Sequence, residues 1–405
     1  MKPTFRRTTV SLALAAAALG ACSGGATSGQ TEVKNSAFRD GLPPTVRDGD
    51  KLALTDQNVD YMLALRSAAL KLTGNYPTFS EINELRTAPD QSSTYAARID
   101  AYLASAAFTR EQITFWRNTF RMGTQDTVGT PPAKMDFAPT YAAQLVVTEQ
   151  PITNLVTATT GTCPTYTVAT NTFSTAATSN CTNNGAVAAG VLSDEGVQMQ
   201  FNSSMAFRRA RWVQETFMCS RFPAEQTGTP VKYPGGTYNS PWPWNSISGK
   251  ESLPTARVDF QANDVLICAN CHSSLNHIAP LFGKFNSSGV FTAGNAFQVT
   301  TPIPGEPATI LADWLPSGET TAWRYMKPAT TIPELGAAIA ADPGFSRCVA
   351  TRMWNWAMSR GDVVNDGLPL TDALANQLTT QLVAENYNVK KMLKRIFTDP
   401  YFVRY

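Results

Sequence analysis

Cys268-Ala269-Asn270-Cys271-His272 is the stretch on which the reading of this 405-residue chain turns. C-x-x-C-H is the attachment signature of a c-type haem. The two thiols fall on one face of a helical turn, within reach of both vinyl groups of a single porphyrin. His272 follows directly and becomes the proximal axial ligand of the iron. With seven Cys and two His in the chain, chance would produce this run in on the order of 1 in 2,000 such sequences. A zinc site would need four ligands, and the nearby additional donor is His277, at a spacing unlike the usual fingers. A thioredoxin-like dithiol would not need the histidine and would sit beside a βαβ pattern that the sequence lacks. One covalently bound haem c is therefore the expected cofactor.

The start of the chain reads as an export signal. Lys2, Arg6 and Arg7 precede an apolar run from Val10 to Ala21, which is too short for a permanent membrane span. The run ends Leu19-Gly20-Ala21-Cys22, which resembles the bacterial lipoprotein cleavage box, so residues 1–21 are the expected signal peptide and Cys22 the expected lipidation site. Ser23 stands where an aspartate would mark inner-membrane retention, which favours the outer membrane. Periplasmic and surface-facing placements stay open, and an ordinary cleaved signal with an incidental cysteine is the alternative. Beyond this run no segment approaches ~18 uninterrupted apolar residues, so lipid is the expected tether.

With the signal removed, 33 basic residues fall to 30 against 31 acidic ones. No basic surplus remains to hold nucleic acid or anionic lipid. Hydrophobic content of 43% and aromatic content of 10% support well-filled cores, and about 380 mature residues suggest two or three domains. Cys163, Cys181, Cys219 and Cys348 remain once Cys22, Cys268 and Cys271 are assigned. An even number in an oxidising compartment reads as disulfides. The expected pairs are Cys163–Cys181, stapling a local loop, and Cys219–Cys348, tying the segments on either side of the haem motif. Buried free thiols are the alternative.

The fold class expected is mainly α: a helical N-terminal domain, a class I-like cytochrome c core with long loops, and a helical C-terminal domain packed on it. Residues 22–50 read as a flexible tether and 51–123 as the N-terminal helices. In that block Tyr61-Met62-Leu63, Leu65, Leu70 and Leu72 form an apolar stripe ended by Gly74. Thr78 with Glu81 spells a capping box, and Trp116 and Phe120 are expected in the core. Residues 124–200 read as a loop-rich excursion, polar and β-leaning from Thr157 to Gly190. Residues 201–330 form the expected haem domain. Arg208, Arg209 and Arg211 are expected on a solvated face there, with a role beside the haem propionates as the alternative. Ile278, Leu281 and Phe282 are expected to line the porphyrin pocket. Residues 331–405 close the chain with helices striped by Leu370, Leu374, Leu378 and Leu382, then by Val389, Leu393, Ile396 and Phe397.

Cys268 to His272, Leu275-Asn276 and Phe285-Asn286-Ser287-Ser288-Gly289 together resemble the planctomycete-type cytochrome c family. Arg211-Trp212-Val213 before Cys219, Phe345-Ser346-Arg347-Cys348, Arg360-Gly361, Asp399-Pro400-Tyr401-Phe402 and Leu70-Lys71-Leu72-Thr73-Gly74 extend the likeness over roughly two-thirds of the chain. The resemblance implies an exported monohaem protein with flanking helical domains. The chain departs from it at Asn276-His277, where that family usually carries Asp-Pro.

The sixth iron ligand decides between carrier and catalyst. His277 lies five residues after His272, on the same side of the ring. Met326, in the loop-like Arg324-Tyr325-Met326-Lys327-Pro328, is the expected ligand. Met353 and Met358 sit in a Trp-rich helical pattern and read as core. His/Met ligation leaves no coordination site for substrate and gives a one-electron carrier that works with a redox partner protein. An open sixth position would instead permit chemistry on peroxide or another small oxidant, and that haem enzyme is the alternative. A third reading makes the haem chiefly structural within a binding lipoprotein. Hydrolase, metalloprotease and phosphate-loop motifs are missing from the sequence.

Overall fold

The computed structural model describes residues 58–123, 134–175, 187–203, 206–220, 275, 277–293, 320–324 and 327–405, with strand pairs at 232–233/236–237 and 247–248/257–258. The described chain is mainly helical. Its strands form two-stranded ladders of two to four residues, so no sheet carries the core. The expected class I cytochrome core falls largely outside the described residues.

Helix α1 (Tyr61–Thr73) starts where Asp60 Oδ1 accepts from the amides of Met62 and Leu63, both at 2.9 Å, and stops at Gly74. Gly74 is left-handed at φ +69°, and a Cβ there would lie 2.7 Å from Glu111 Oε1, so the stop needs glycine. Its buried stripe is Ala64, Leu65, Ala68 and Leu72, at the i, i+4 spacing that faces a core; of the stripe expected from sequence Leu65 and Leu72 are buried, whereas Leu63 and Leu70 face outward. Helix α2 (Phe79–Thr87) has the expected capping box: Thr78 Oγ1 accepts from Glu81 N, and Glu81 Oε2 accepts from Thr78 N. Helices α3 (Gln91–Leu103) and α4 (Ala106–Phe120) complete the first block. Trp116 and Phe120 are buried, as expected.

The segment 124–200 departs from the loop-rich excursion expected of it. It contains α5 (Lys134–Val147), which packs along α4, then α6 (Asn154–Thr157) and α7 (Glu195–Gln200). Every residue from Phe137 to Ala143 is buried, so α5 has no polar face to give a 3.6-residue period, and Pro139 inside it reads in sequence as a breaker. The polar part of the segment does form strands: β1 (Pro164–Thr167) pairs antiparallel with β2 (Thr172–Thr175).

Helix α8 (Phe207–Met218) leads to Cys219, and the chain closes with α9 (Ile332–Ala340), α10 (Pro343–Ala357), α11 (Asp372–Ala384), α12 (Val389–Thr398) and α13 (Pro400–Val403). The N-terminal and C-terminal blocks, drawn separately at 51–123 and 331–405, share one hydrophobic core. Tyr95 on α3 donates to Phe397 O at 2.7 Å, and the amide of Asp60 donates to Val403 O at 2.9 Å. The amide of Tyr405 donates to Asn58 O at 3.1 Å, bringing the described ends together. Each block thus covers apolar surface of the other.

Asp194 caps α7, with Oδ1 accepting from Val197 N at 2.9 Å. Its Oδ2 is buried without a hydrogen-bond partner. Burial first, then the neighbouring Glu195, push this carboxyl up from the ordinary 3.8 to about 7, against the amides of Val197 and Gly196 and the charge of Lys134. The folded chain therefore holds this proton to higher pH than the unfolded chain. The stability tied to Asp194 is fully present below 3.8 and is lost as pH rises to about 7. Asp194→Asn keeps a competent cap and abolishes the titration. Urea midpoints are expected to fall between about pH 4 and about pH 7 in the wild type and to fall less in this variant. Equal slopes in the two proteins would contradict the assignment.

Candidate functional site

Cys268, Cys271 and His272 lie outside the described residues, as do Met326, Cys22 and Cys181. What the structure describes is the frame on either side of the motif. Five residues after His272 a tight buried turn begins: His277 is 2% exposed, Ile278 1%, and Ala279 and Phe282 are fully buried in a 3₁₀ turn over Ala279–Phe282. Ile278 and Phe282 belong to the continuous core, and Phe285 stacks edgewise on Phe291 at 5.3 Å between ring centroids.

The turn is fixed by an arginine. Arg209 on α8 is 2% exposed. Its Nη1 donates to Phe282 O at 3.1 Å and Phe285 O at 3.0 Å, and its Nη2 to Asn286 O at 3.0 Å, Gln198 O at 2.8 Å and Asn202 Oδ1 at 3.2 Å. Nε also donates to Gln198 O, at 3.1 Å. Burial pushes the guanidinium down to about 10. This corrects the expectation of a solvated face: Arg208 and Arg211 are exposed, but Arg209 turns inward and satisfies carbonyls that α7 and the 282–286 turn leave open. The five donors of the planar fork suit that task better than a lysine ammonium.

Phe285-Asn286-Ser287-Ser288-Gly289 forms the next part of the frame. Asn286 Oδ1 accepts from the amides of Ser288 and Val290, both at 2.9 Å. Gly289 is left-handed at φ +79°, and a Cβ on it would lie 2.0 Å from Glu195 O. Backbone therefore meets backbone where this turn crosses α7, and no other residue fits there.

On the N-terminal side of the motif, Cys219 is bonded to Cys348 on α10, with Cα atoms 5.3 Å apart. Arg352, one turn further along α10, donates from Nη2 to Glu215 O at 2.9 Å and from Nη1 to Thr216 O, and its Nε pairs with Asp362 at 3.0 Å. Trp212 Nε1 donates to Phe120 O at 3.0 Å. Helix α8 is thus braced against both helical blocks before the chain enters the segment that carries Cys268–His272. Cys163 is also disulfide-bonded, while its expected partner Cys181 falls outside the described residues.

Met326 is flanked by a short ladder, Ala322–Trp323 paired with Lys327–Pro328. Asp342, the cap of α10, anchors it. Its Oδ2 accepts from Trp323 Nε1 at 2.9 Å and from Arg324 at 2.6 Å and 3.1 Å, while Oδ1 accepts from Gly344 N at 2.8 Å. Asp342→Asn keeps the cap and loses the charged partner of a guanidinium whose side chain is 2% exposed. The expected cost is about 1–3 kcal/mol, read as a lower thermal midpoint with a changed near-ultraviolet tryptophan signal. An unchanged midpoint would show that Asp342 does not hold the ladder.

The described residues that flank Cys268–His272 would accommodate a haem held there. The disulfide consumes Cys219 and Cys348 with one another, so neither competes for Cys268 or Cys271. The buried apolar turn beginning at His277 can wall a porphyrin edge away from water. Among the described residues no group of three or more His, Cys, Asp or Glu could hold a metal, so His277 is not part of such a cluster. Among the same residues no helix is long and apolar enough to cross a membrane. Met353 is fully buried in the core, and Met358 packs against it. Sequence reading missed Arg209, Arg352 and Asp342 as organising residues, because an arginine that turns inward has the same neighbours in sequence as one that faces solvent. Comparison with known proteins finds no matching family model, no similar curated protein and no similar solved structure.

Proposed function

We propose that this chain is a lipid-anchored monohaem c-type cytochrome that passes single electrons at the bacterial cell envelope. The observation that carries the reading is the run Cys268-x-x-Cys271-His272. The Cys219–Cys348 disulfide supports it independently, since such bonds persist in exported proteins. Haem c, once bound, supplies one-electron redox chemistry. Cys268 and Cys271 would hold it through thioethers, and His272 would ligate the iron. Met326 would be the candidate for a second ligand to the iron. Arg209 fixes the turn that follows His272 in the chain, and the buried Ile278, Ala279 and Phe282 of that turn would help to exclude water from a haem held there. The resemblance to planctomycete-type cytochromes c points the same way and rests on the quoted residues alone. Cys22 would tether the protein to the outer membrane, and a second protein would exchange electrons with it.

Spectra of the protein matured in its own host separate this from the enzyme reading. A low-spin haem whose weak long-wavelength Met–Fe(III) band disappears in Met326→Ala supports the carrier. A high-spin haem that binds cyanide readily would replace the carrier with an oxidant-consuming enzyme. Cys22→Ser is expected to release the protein into the soluble envelope fraction.

A further inference from the structure

Helix α1 turns two leucines away from the core. Leu63 and Leu70 are both exposed, and at i, i+7 they lie on one side of the helix. Ser67 stands between them, and its Oγ accepts from the hydroxyl of Tyr405, itself exposed, at 3.2 Å. The Arg66 guanidinium sits 5.3 Å from the ring centre of Tyr76. Tyr76 is 64% exposed, and Phe79, at the first position of α2, is 91% exposed. Five large apolar or aromatic side chains are therefore gathered around the outer side of one helix, where ordinary surfaces scatter such residues singly.

Three observations select a phospholipid surface as what covers this face. The first is where the chain enters. Asn58 O accepts from the amide of Tyr405, and Val59 bridges Arg404, so the segment that leads from Cys22 joins the fold at this face. Cys22 lies 36 positions before Asn58, a reach of at most about 130 Å. An acyl group on Cys22 would thus keep the face at high local concentration beside a bilayer. The second is charge. From Tyr61 to Ser80 the chain carries Arg66 and Lys71 and no carboxylate. Beyond that stretch, Glu81 accepts from Thr78 N and pairs with Arg98, and Glu84 pairs with Arg98 too. Arg66 can lay its stem along Tyr76 and raise its head to a lipid phosphate. The third is residue type: tyrosine, phenylalanine and leucine together suit the boundary between headgroups and acyl chains. The mature chain has no basic surplus overall, so apolar burial carries the contact and long-range attraction does not.

We propose that the face formed by Leu63, Leu70, Tyr76, Phe79 and Tyr405 docks on the phospholipid leaflet that holds the acyl group, laying α1 along the membrane. The proposal rests on the lipoprotein reading above, and its test is separable from that reading. Cys22→Ser protein, which has no acyl group, is co-sedimented with vesicles of phosphatidylethanolamine and phosphatidylglycerol. Saturable association is expected, half complete at ~0.1–10 mM lipid. Such a contact orients a tethered protein but is too weak to retain an untethered one. Adding Leu70→Ser with Phe79→Ser is expected to weaken the association at least ~10-fold with an unchanged thermal midpoint, since both positions are exposed. Phe79→Ser alone, at least ~3-fold weaker, repeats the reading if the double change folds poorly. Val383→Ser, at an exposed valine on α11, is expected to change nothing. Intact mass of the wild-type chain reads the anchor by itself: missing acyl groups would overturn the anchor, while the vesicle measurement would still decide the face. No association, association that the double change leaves intact, or a vesicle-free dimer that the same change splits would each overturn the assignment, the last in favour of a second copy of the chain.

Discussion

Arg209→Ala is expected to lower the unfolding free energy by about 3–5 kcal/mol, with urea denaturation followed by circular dichroism as the measurement. The guanidinium is 2% exposed and donates to backbone carbonyls of Gln198, Phe282, Phe285 and Asn286. Alanine leaves those oxygens buried without donors, at roughly 1–3 kcal/mol each before relaxation. It also opens a cavity between α8 and the turn at residues 279–286. Arg209→Lys keeps the charge but cannot reach so many acceptors, and about half of the loss is expected. A drop under about 1 kcal/mol in the alanine variant would show that water replaces the clamp and that Arg209 does not organise the turn.

Removing the Cys219–Cys348 bond by the double change Cys219→Ala and Cys348→Ala is expected to cost about 2–5 kcal/mol. The two residues are separated by 129 positions, and closing so long a loop removes chain entropy worth about 5 kcal/mol from the unfolded state. Arg352, which bonds Glu215 O and Thr216 O directly beside the bridge, holds α8 against α10 in the native state. The double variant is therefore expected to keep its helical spectrum while its urea midpoint falls. A variant as stable as the parent would mean that the bridge adds nothing beyond that bracing. Loss of helical signal in buffer would mean that the noncovalent frame is weaker than its hydrogen bonds indicate.

Helices with one polar face were readable before the structure. The glycine stop of α1, the Thr78–Glu81 box and the leucines of α11 each follow a local rule, and the structure obeys it, while the α1 stripe holds only in part, with Leu65 and Leu72 buried and Leu63 and Leu70 exposed. Helix α5 was not readable, because burial from Phe137 to Ala143 on every side erases the polar face and Pro139 signals the opposite. The shared core of the chain ends was hidden for a different reason. Tyr95 and Phe397 are 302 residues apart, and no local pattern encodes that meeting. Candidate-site chemistry was legible where spacing alone carries it, as in Cys268-x-x-Cys271-His272. It was not legible where a side chain's role depends on which carbonyls surround it, as for Arg209.

The central claim is a covalent bond between a porphyrin and this polypeptide. Intact mass and pyridine-haemochrome spectra of the protein purified from the envelope of its own host test it most directly. The expected result is a mass above that of the processed chain by one haem, beyond the acyl groups on Cys22, with a c-type haemochrome band that survives acid–organic extraction. That increment should vanish in the variant carrying Cys268→Ala and Cys271→Ala. A colourless protein, or a haem that washes out on extraction, would contradict it.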